Sequence, residues 1–215
     1  KDLITTIDLD LQDIVHEALL RQLEIYEASF GTSILMDVES GAIRAISNLK
    51  KIKNKKYAEV LNYAVAHKVE PGSTFKLASL MAYFEDTNAT VEDSIDCKNG
   101  VFRFRGAPID TKDSYPMSVV SIKEAFARSS NIGLGRLIQN YYNNNPQKFI
   151  DRLYTFGLGE KSKIDLHGIP IPYIPSPKED NWSLISLPWM SYGYGLELTP
   201  LDLLTFYNAV ANNGV

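Results

Sequence analysis

The sequence predicts an α+β domain, mostly helical, with a small antiparallel sheet. Three observations carry this. Apolar residues recur at helical spacing in several separate runs, the clearest at 74–85, 132–142 and 201–210. Two β-rich runs, 32–38 and 42–47, flank Glu39-Ser40-Gly41, which reads as a hairpin turn. The chain has 215 residues, 45% hydrophobic and 22% charged, enough to bury a sizeable core.

Taken in order, Ile7, Leu11, Ile14, Val15, Ala18, Leu19 and Leu23 share one face of a first helix, with Asp8 or Asp10 as its cap. The hairpin follows. Residues 50–69 carry mixed charge and predict a loop with a short helix near 58–66. Lys50, Lys51, Lys53, Lys55 and Lys56 form a basic cluster that reads as a solvated loop. Pro71-Gly72 then opens the apolar helix at 74–85. Residues 87–116, rich in Asp, Asn and Gly, predict a surface flap with a short hairpin. Ser121 and Glu124 fit a capping box for the next helix. Asn145-Pro146 starts another helix, which Gly157 ends. Residues 158–188 hold most of the prolines and read as an extended loop. Thr199 and Pro200 begin a last helix that buries Leu201, Leu204, Phe206, Tyr207 and Val210.

Composition excludes several classes of function. The formal charge of −4 gives no electrostatic case for nucleic acid or anionic lipid. Cys97 is the only cysteine, so no disulfide forms within the chain. His16, His67 and His167 are scattered without metal-ligand spacing, and His67 reads as structural. No apolar run reaches the length of about 18 residues that spans a membrane. No targeting signal opens at Lys1.

The chemistry concentrates at Glu70-Pro71-Gly72-Ser73-Thr74-Phe75-Lys76. On a helix, residues i and i+3 share a face, so Ser73 and Lys76 project together from the first turn. A serine hydroxyl becomes a nucleophile when a neighbouring base takes its proton. A lysine serves as that base once burial lowers its pKa. The plainer reading makes Ser73 a helix cap and lets Lys76 reach water. Ser47-Asn48-Leu49-Lys50 matches the same spacing without an apolar helix behind it. A second cluster, Ser129-Ser130-Asn131, lies between the apolar runs 122–127 and 132–142. Alone it reads as a polar helix junction.

Together the two clusters resemble the penicillin-recognising serine acyl-transferases, whose set is Ser-x-x-Lys, Ser-Asp-Asn and Lys-Thr-Gly. Ser-Ser-Asn is the variant of transpeptidases, and the interval from Ser73 to Ser129 fits the family. Thr5-Thr6-Ile7-Asp8-Leu9-Asp10-Leu11-Gln12 resembles the opening of a transpeptidase domain. Ser191-Tyr192-Gly193-Tyr194-Gly195-Leu196, followed by Thr199-Pro200-Leu201, resembles a segment of division-type class B penicillin-binding proteins. One departure stands out: no Lys-Thr-Gly or Lys-Ser-Gly occurs, and Lys161-Ser162-Lys163 lacks the glycine. The resemblance therefore implies that 1–215 is a transpeptidase domain of the penicillin-binding and serine β-lactamase fold, truncated at its C-terminus. Its sheet would be partial because the last strands are missing, leaving a bare edge that invites self-association. A membrane anchor and pedestal would precede it.

The resemblance implies peptidoglycan D,D-transpeptidation, with Ser73 as nucleophile, Lys76 as its base and Ser129 as proton relay. Asn131 would bind the substrate amide and steady Lys76. The implied partners are stem peptides ending in D-Ala-D-Ala, β-lactam antibiotics, and other wall-synthesis or division proteins. No cofactor is implied. The implied location is the cell membrane, single-pass, with the catalytic domain outside the cytoplasm in the periplasm. A D,D-carboxypeptidase, a serine β-lactamase, a β-lactam sensor and a degenerate scaffold share these motifs and stay open as alternatives. With the third motif absent, the 215 residues are expected to acylate poorly.

Overall fold

A computed structural model describes residues 4–214, apart from the Lys55 side chain. Lys1, where no targeting signal opens, and Val215, at the expected truncation, lie outside the described residues. In chain order the elements are α1 (Leu9–Ile25), β1 (Phe30–Met36), β2 (Ile43–Lys51), β3 (Tyr57–Ala58), α2 (Tyr63–Ala66), α3 (Lys76–Asp86), β4 (Ser94–Asp96), β5 (Val101–Phe102), β6 (Thr111–Lys112), β7 (Val119–Ser121), α4 (Ile122–Ala127), α5 (Asn131–Tyr142), α6 (Pro146–Thr155), α7 (Ser186–Ser191) and α8 (Pro200–Ala211). The described residues pack as two compact units. One draws on residues 4–69, 160–172 and 198–214, the other on Glu70–Gly159 and Tyr173–Glu197.

In the first unit β1 and β2 pair antiparallel, from Phe30 against Lys50 to Leu35 against Ala45, with a register shift before Met36. β3 pairs with the far end of β2, so Lys50 and Lys51 lie in a strand and not in the expected loop. The order β1-β2-β3 leaves β1 at an edge among the described residues. Asp8, and not Asp10, caps α1 by accepting from the Leu11 N–H. The Gln12 side chain accepts from the Ile46 N–H (2.9 Å) and donates to the Ile46 carbonyl (3.0 Å), which locks α1 onto β2. Leu23 fills the space above Gly31, where a Cβ would lie 2.8 Å from its methyl. The rest of the α1 face is shallower than its periodicity suggested: Ile14 is 63% exposed. Three strands cover only part of the apolar arc of a helix this long. Thr199 and Asp202 form a full capping box at α8. Leu201 and Phe206 are buried there, whereas Tyr207 and Val210 fall short of the expected burial. Leu201 packs with Ala64 and Val65 of α2 against Ile34 and Ile46 of the sheet.

In the second unit the predicted helix at 74–85 divides. Gly72–Phe75 forms a 3-10 turn, which runs directly into α3. Behind it Leu80, Ile95, Cys97, Ile122, Ala125, Leu134 and Leu137 form one apolar cluster. Each fully buried Leu or Ile there contributes about 1.5–3 kcal/mol. The flap carries the expected hairpin, with Val101 against Lys112 and Phe102 against Thr111. β4 pairs with β7. Ser121 caps α4, but the box is half-formed, because the Glu124 carboxylate accepts from Arg128. Gly157, with φ +79°, ends α6 in a Schellman turn, its N–H donating to the Tyr154 carbonyl and that of Leu158 to Leu153. α7 begins inside the segment expected to be extended, with Pro188 in it, and packs on α5.

Asp86 joins three helices at the far end of α3. Its carboxylate is 2% exposed and accepts from Arg152 at 2.7 and 2.9 Å and from the Tyr142 hydroxyl at 2.7 Å, with Lys148 at 3.2 Å. Burial pushes that carboxyl up, and these bonds more than reverse the effect, holding it below the usual carboxylate range.

Candidate active site

The site is built at the N-terminal ends of α3 and α5, within the second unit. Ser73 sits in the 3-10 turn and is exposed. Gly72 before it has φ +58°, a left-handed conformation natural to glycine. The Gly72 N–H donates to the Gly193 carbonyl at 3.1 Å. A Cβ on Gly193 would lie 2.7 Å from the Gly72 carbonyl carbon and nearer still to its oxygen. Glu70 accepts from the Gly195 N–H at 2.8 Å, and the Ser79 hydroxyl donates to the Ser191 carbonyl at 2.8 Å. The segment from Ser191 to Gly195 therefore braces the turn that presents Ser73.

Lys76 opens α3 and is 1% exposed. Its ammonium donates to Ser73 Oγ at 3.1 Å, to Ser129 Oγ at 2.8 Å and to the Ser129 carbonyl at 2.6 Å. An ammonium has three N–H bonds, and all three are used. Burial lowers its pKa to about 8, against the opposing pull of the Asp113 carboxylate. An amine poised near neutrality between two hydroxyls can accept a proton from one and return it through the other.

Ser129 owes its position to a helix end. Its φ is +56°, in the left-handed region that a side chain rarely adopts. The Ser129 N–H donates to the Phe126 carbonyl and the Ser130 N–H to Ala125. That is a Schellman closure of α4 with serine where glycine is usual. Ser130 is buried and caps α5 by accepting from the Gly133 N–H at 2.8 Å. The polar helix junction expected from the sequence is thus present, and the Ser129 hydroxyl rides on it.

Three of the four expected residues meet: Ser73, Lys76 and Ser129. Asn131 is adjacent as the first residue of α5, but among the described residues no hydrogen bond joins it to Lys76, whose three N–H bonds are already committed. The competing Ser47–Lys50 pair does not converge. Both lie in β2, where residues three apart point to opposite faces. Ser47 is buried against His16, and Lys50 is exposed. His67 packs edge-on against Phe30 and Tyr63. Among the described residues no group of three His, Cys, Asp or Glu side chains gathers as a metal site.

Sequence reasoning missed Asp113. Its carboxylate accepts from the Ser130 hydroxyl at 2.5 Å and from the N–H groups of Asn131 at 2.8 Å and Ile132 at 3.3 Å. Nothing in an Asp-rich flap distinguishes it from its neighbours. Also missed was the bracing role of Gly193 and Glu70, which only the folded turn reveals.

Residues 31–215 match the family described as penicillin binding protein transpeptidase domain. The chain belongs to that family. Among curated relatives of this transpeptidase family, the peptidoglycan D,D-transpeptidase FtsI of Buchnera aphidicola subsp. Schizaphis graminum is 28% identical over 100% of this chain and 37% of its own length. The chain spans about a third of the length of the curated relatives it matches. The solved transpeptidase domain of Burkholderia pseudomallei penicillin-binding protein 3 superposes with a TM-score of 0.81 at 24% identity, covering 98% of this chain and 58% of that one. Penicillin-binding protein 3 of Mycobacterium tuberculosis in complex with aztreonam gives 0.80 at 24%, covering 97% and 46%. These likenesses show the fold: α+β, of the penicillin-binding transpeptidase kind.

Proposed function

We propose that this chain is the nucleophile-bearing part of a peptidoglycan D,D-transpeptidase that works through an acyl-enzyme on Ser73. The observation that carries the reading is one buried amine, with a pKa lowered to about 8, hydrogen-bonded to both the Ser73 and Ser129 hydroxyls. Family membership and the names of the relatives support the substrate class.

Ser73 Oγ attacks the carbonyl carbon of the penultimate D-Ala of a donor stem peptide, and its proton passes to neutral Lys76. The tetrahedral oxyanion is held by the Ser73 N–H at the start of the helix. The carbon–nitrogen bond then breaks, and the terminal D-Ala leaves as an amine carrying a proton relayed by Ser129. An acceptor amine from a neighbouring stem attacks the ester and gives a proton back along the same relay. The carbon–oxygen bond breaks and Ser73 is restored as the cross-link forms. Asn131 binds the donor's amide. Proton transfers of this kind supply about 10²–10⁴-fold.

The remaining parts of the reading rest on the resemblance of the motifs. The protein is a target of β-lactams, anchored in the cell membrane by a single span outside these residues, with the catalytic domain on the outer side. It works beside other wall-synthesis proteins, in division. The 215 residues contain no Lys-Thr-Gly or Lys-Ser-Gly, so by themselves they acylate slowly or not at all.

Fluorescent penicillin tests this on both the full-length gene product and the 215 residues. The full-length protein should label stoichiometrically at Ser73, and Ser73→Ala should abolish the label. Absence of label on the full-length protein would sink the proposal. Rapid labelling of the 215 residues would sink the statement about slow acylation. A cross-linking assay with lipid-linked precursor separates a transpeptidase from a sensor, which makes no cross-link.

A further inference from the structure

Asp113 stands in the stretch between β6 and β7, remote in sequence from both serines, yet its carboxylate is plugged into the start of α5. One oxygen accepts from the Ser130 hydroxyl at 2.5 Å, the other from the Asn131 and Ile132 N–H groups at 2.8 and 3.3 Å. Those two N–H groups are orphans of the first helical turn, where negative charge is also favoured by the helix dipole. Its own backbone is held as well: the Asp113 N–H donates to the Gly100 carbonyl at 3.0 Å. Gly100 is packed against Pro116, with no room for a Cβ. The carboxylate is therefore delivered by an anchored segment.

We propose that Asp113 is a positioning residue of the reaction, pinning the Ser130–Ile132 backbone so that Ser129 keeps its left-handed conformation over Lys76, with its carboxylate at hand to tune the amine. This rests on the reading of Lys76 as the base. The physical need is clear. A left-handed serine costs on the order of 1 kcal/mol or more and persists only where its surroundings hold it. The Schellman bonds hold Ser129 from the α4 side. On the α5 side the following residue is fixed by its bond to Asp113 and its cap to Gly133.

The charge has a separate consequence. Lys76 faces the hydroxyls of Ser73 and Ser129 from the 3-10 turn and the helix junction, and the Asp113 carboxylate acts on it at longer range. Tyr192 and Cys97 also feel Asp113, and both stay neutral near pH 8. Burial pushes Tyr192 up to about 12 and Cys97 above its ordinary value. Asp113 pulls Lys76 toward its charged form, so loss of the carboxylate charge moves the amine further toward neutrality.

The test needs no catalysis, so its outcome is independent of whether the chain acylates. Lysine-labelled protein reports the Lys76 titration by NMR, and amide exchange reports the first turn of α5. Asp113→Asn keeps an acceptor for the two N–H groups and removes the charge. Its Lys76 midpoint should fall below the wild-type value of about 8 while the amides stay protected. Asp113→Ala removes both functions, and exchange at Asn131 and Ile132 should quicken about tenfold or more. Asp113→Glu should restore the titration midpoint in part. A midpoint unmoved by Asp113→Asn would overturn the electrostatic role, since a purely structural cap would leave it in place. Unchanged exchange in folded Asp113→Ala would overturn the positioning role. If Asp113→Ala does not fold, the Asp113→Asn titration still decides. On the full-length protein, the acid limb of the penicillin-labelling rate should shift to lower pH in Asp113→Asn.

Discussion

Lys76 is held in a conflict between burial and charge, and that conflict has two measurable faces. In the proposed mechanism the amine takes a proton from Ser73 only when neutral. With a value near 8, about a tenth of it is neutral at pH 7. The labelling rate of the full-length protein should therefore climb with pH and level off above about 8. A rate flat from pH 6 to 9 would exclude Lys76 as the base. The other face is stability. The pKa is lower folded, about 8, than its ordinary 10.5, so the unfolded chain holds more protons between those values. The contribution of this group to stability thus rises with pH across that window and is lost as pH falls through 8. Lys76→Met should raise stability at pH 7 by about 1–3 kcal/mol, while abolishing labelling. Thermal melts check this, and a lowered midpoint would mean that the bonds to Ser73 and Ser129 outweigh desolvation. The Ser73–Lys76 pair was legible in the sequence because three residues along a helix is a fixed geometry. Asp113 was not, because its partners lie 17 to 19 positions away through irregular chain, where spacing carries no direction.

At the scale of elements, α3 is fixed at both ends. Its N-terminal turn leans on Gly193, and its C-terminal Asp86 draws in α5 and α6. Gly193→Ala should displace the Gly72 turn and strain a backbone at φ +86°. We expect a loss of about 1–3 kcal/mol and a much slower reaction at Ser73. Retained labelling in a destabilised variant would show that the brace serves stability alone. Asp86→Ala should cost about 2–3 kcal/mol, below the full penalty for breaking a buried pair because Arg152 and Lys148 reach water. Denaturant unfolding measures it. Helices with a clear apolar period, such as α5 and α6, were readable from sequence. α7 was masked by the prolines around and within it, and β3 by its length of two residues, which no period can register.

For the molecule as a whole, the described sheet of the first unit ends in a strand paired on one side only. β1 presents an open edge, with Phe30 41% and Leu35 38% exposed. Such edges accept another strand. The 215 residues should therefore associate with rising concentration, and a single monomeric sedimentation boundary throughout would count against this. The hairpin itself was readable from Glu39-Ser40-Gly41, whereas the grouping of segments into units depends on long-range packing that no local pattern encodes. The close approach of Gly72 and Gly193 bears on how this protein can vary over generations. Gly193 cannot gain a side chain without disturbing the turn that carries Ser73, so inherited change that alters what enters the site has to accumulate elsewhere. The exposed positions of the flap between β5 and β6, such as Arg105 and Ile109, are free of that constraint, and lineages that diverge in what they bind should carry their differences there.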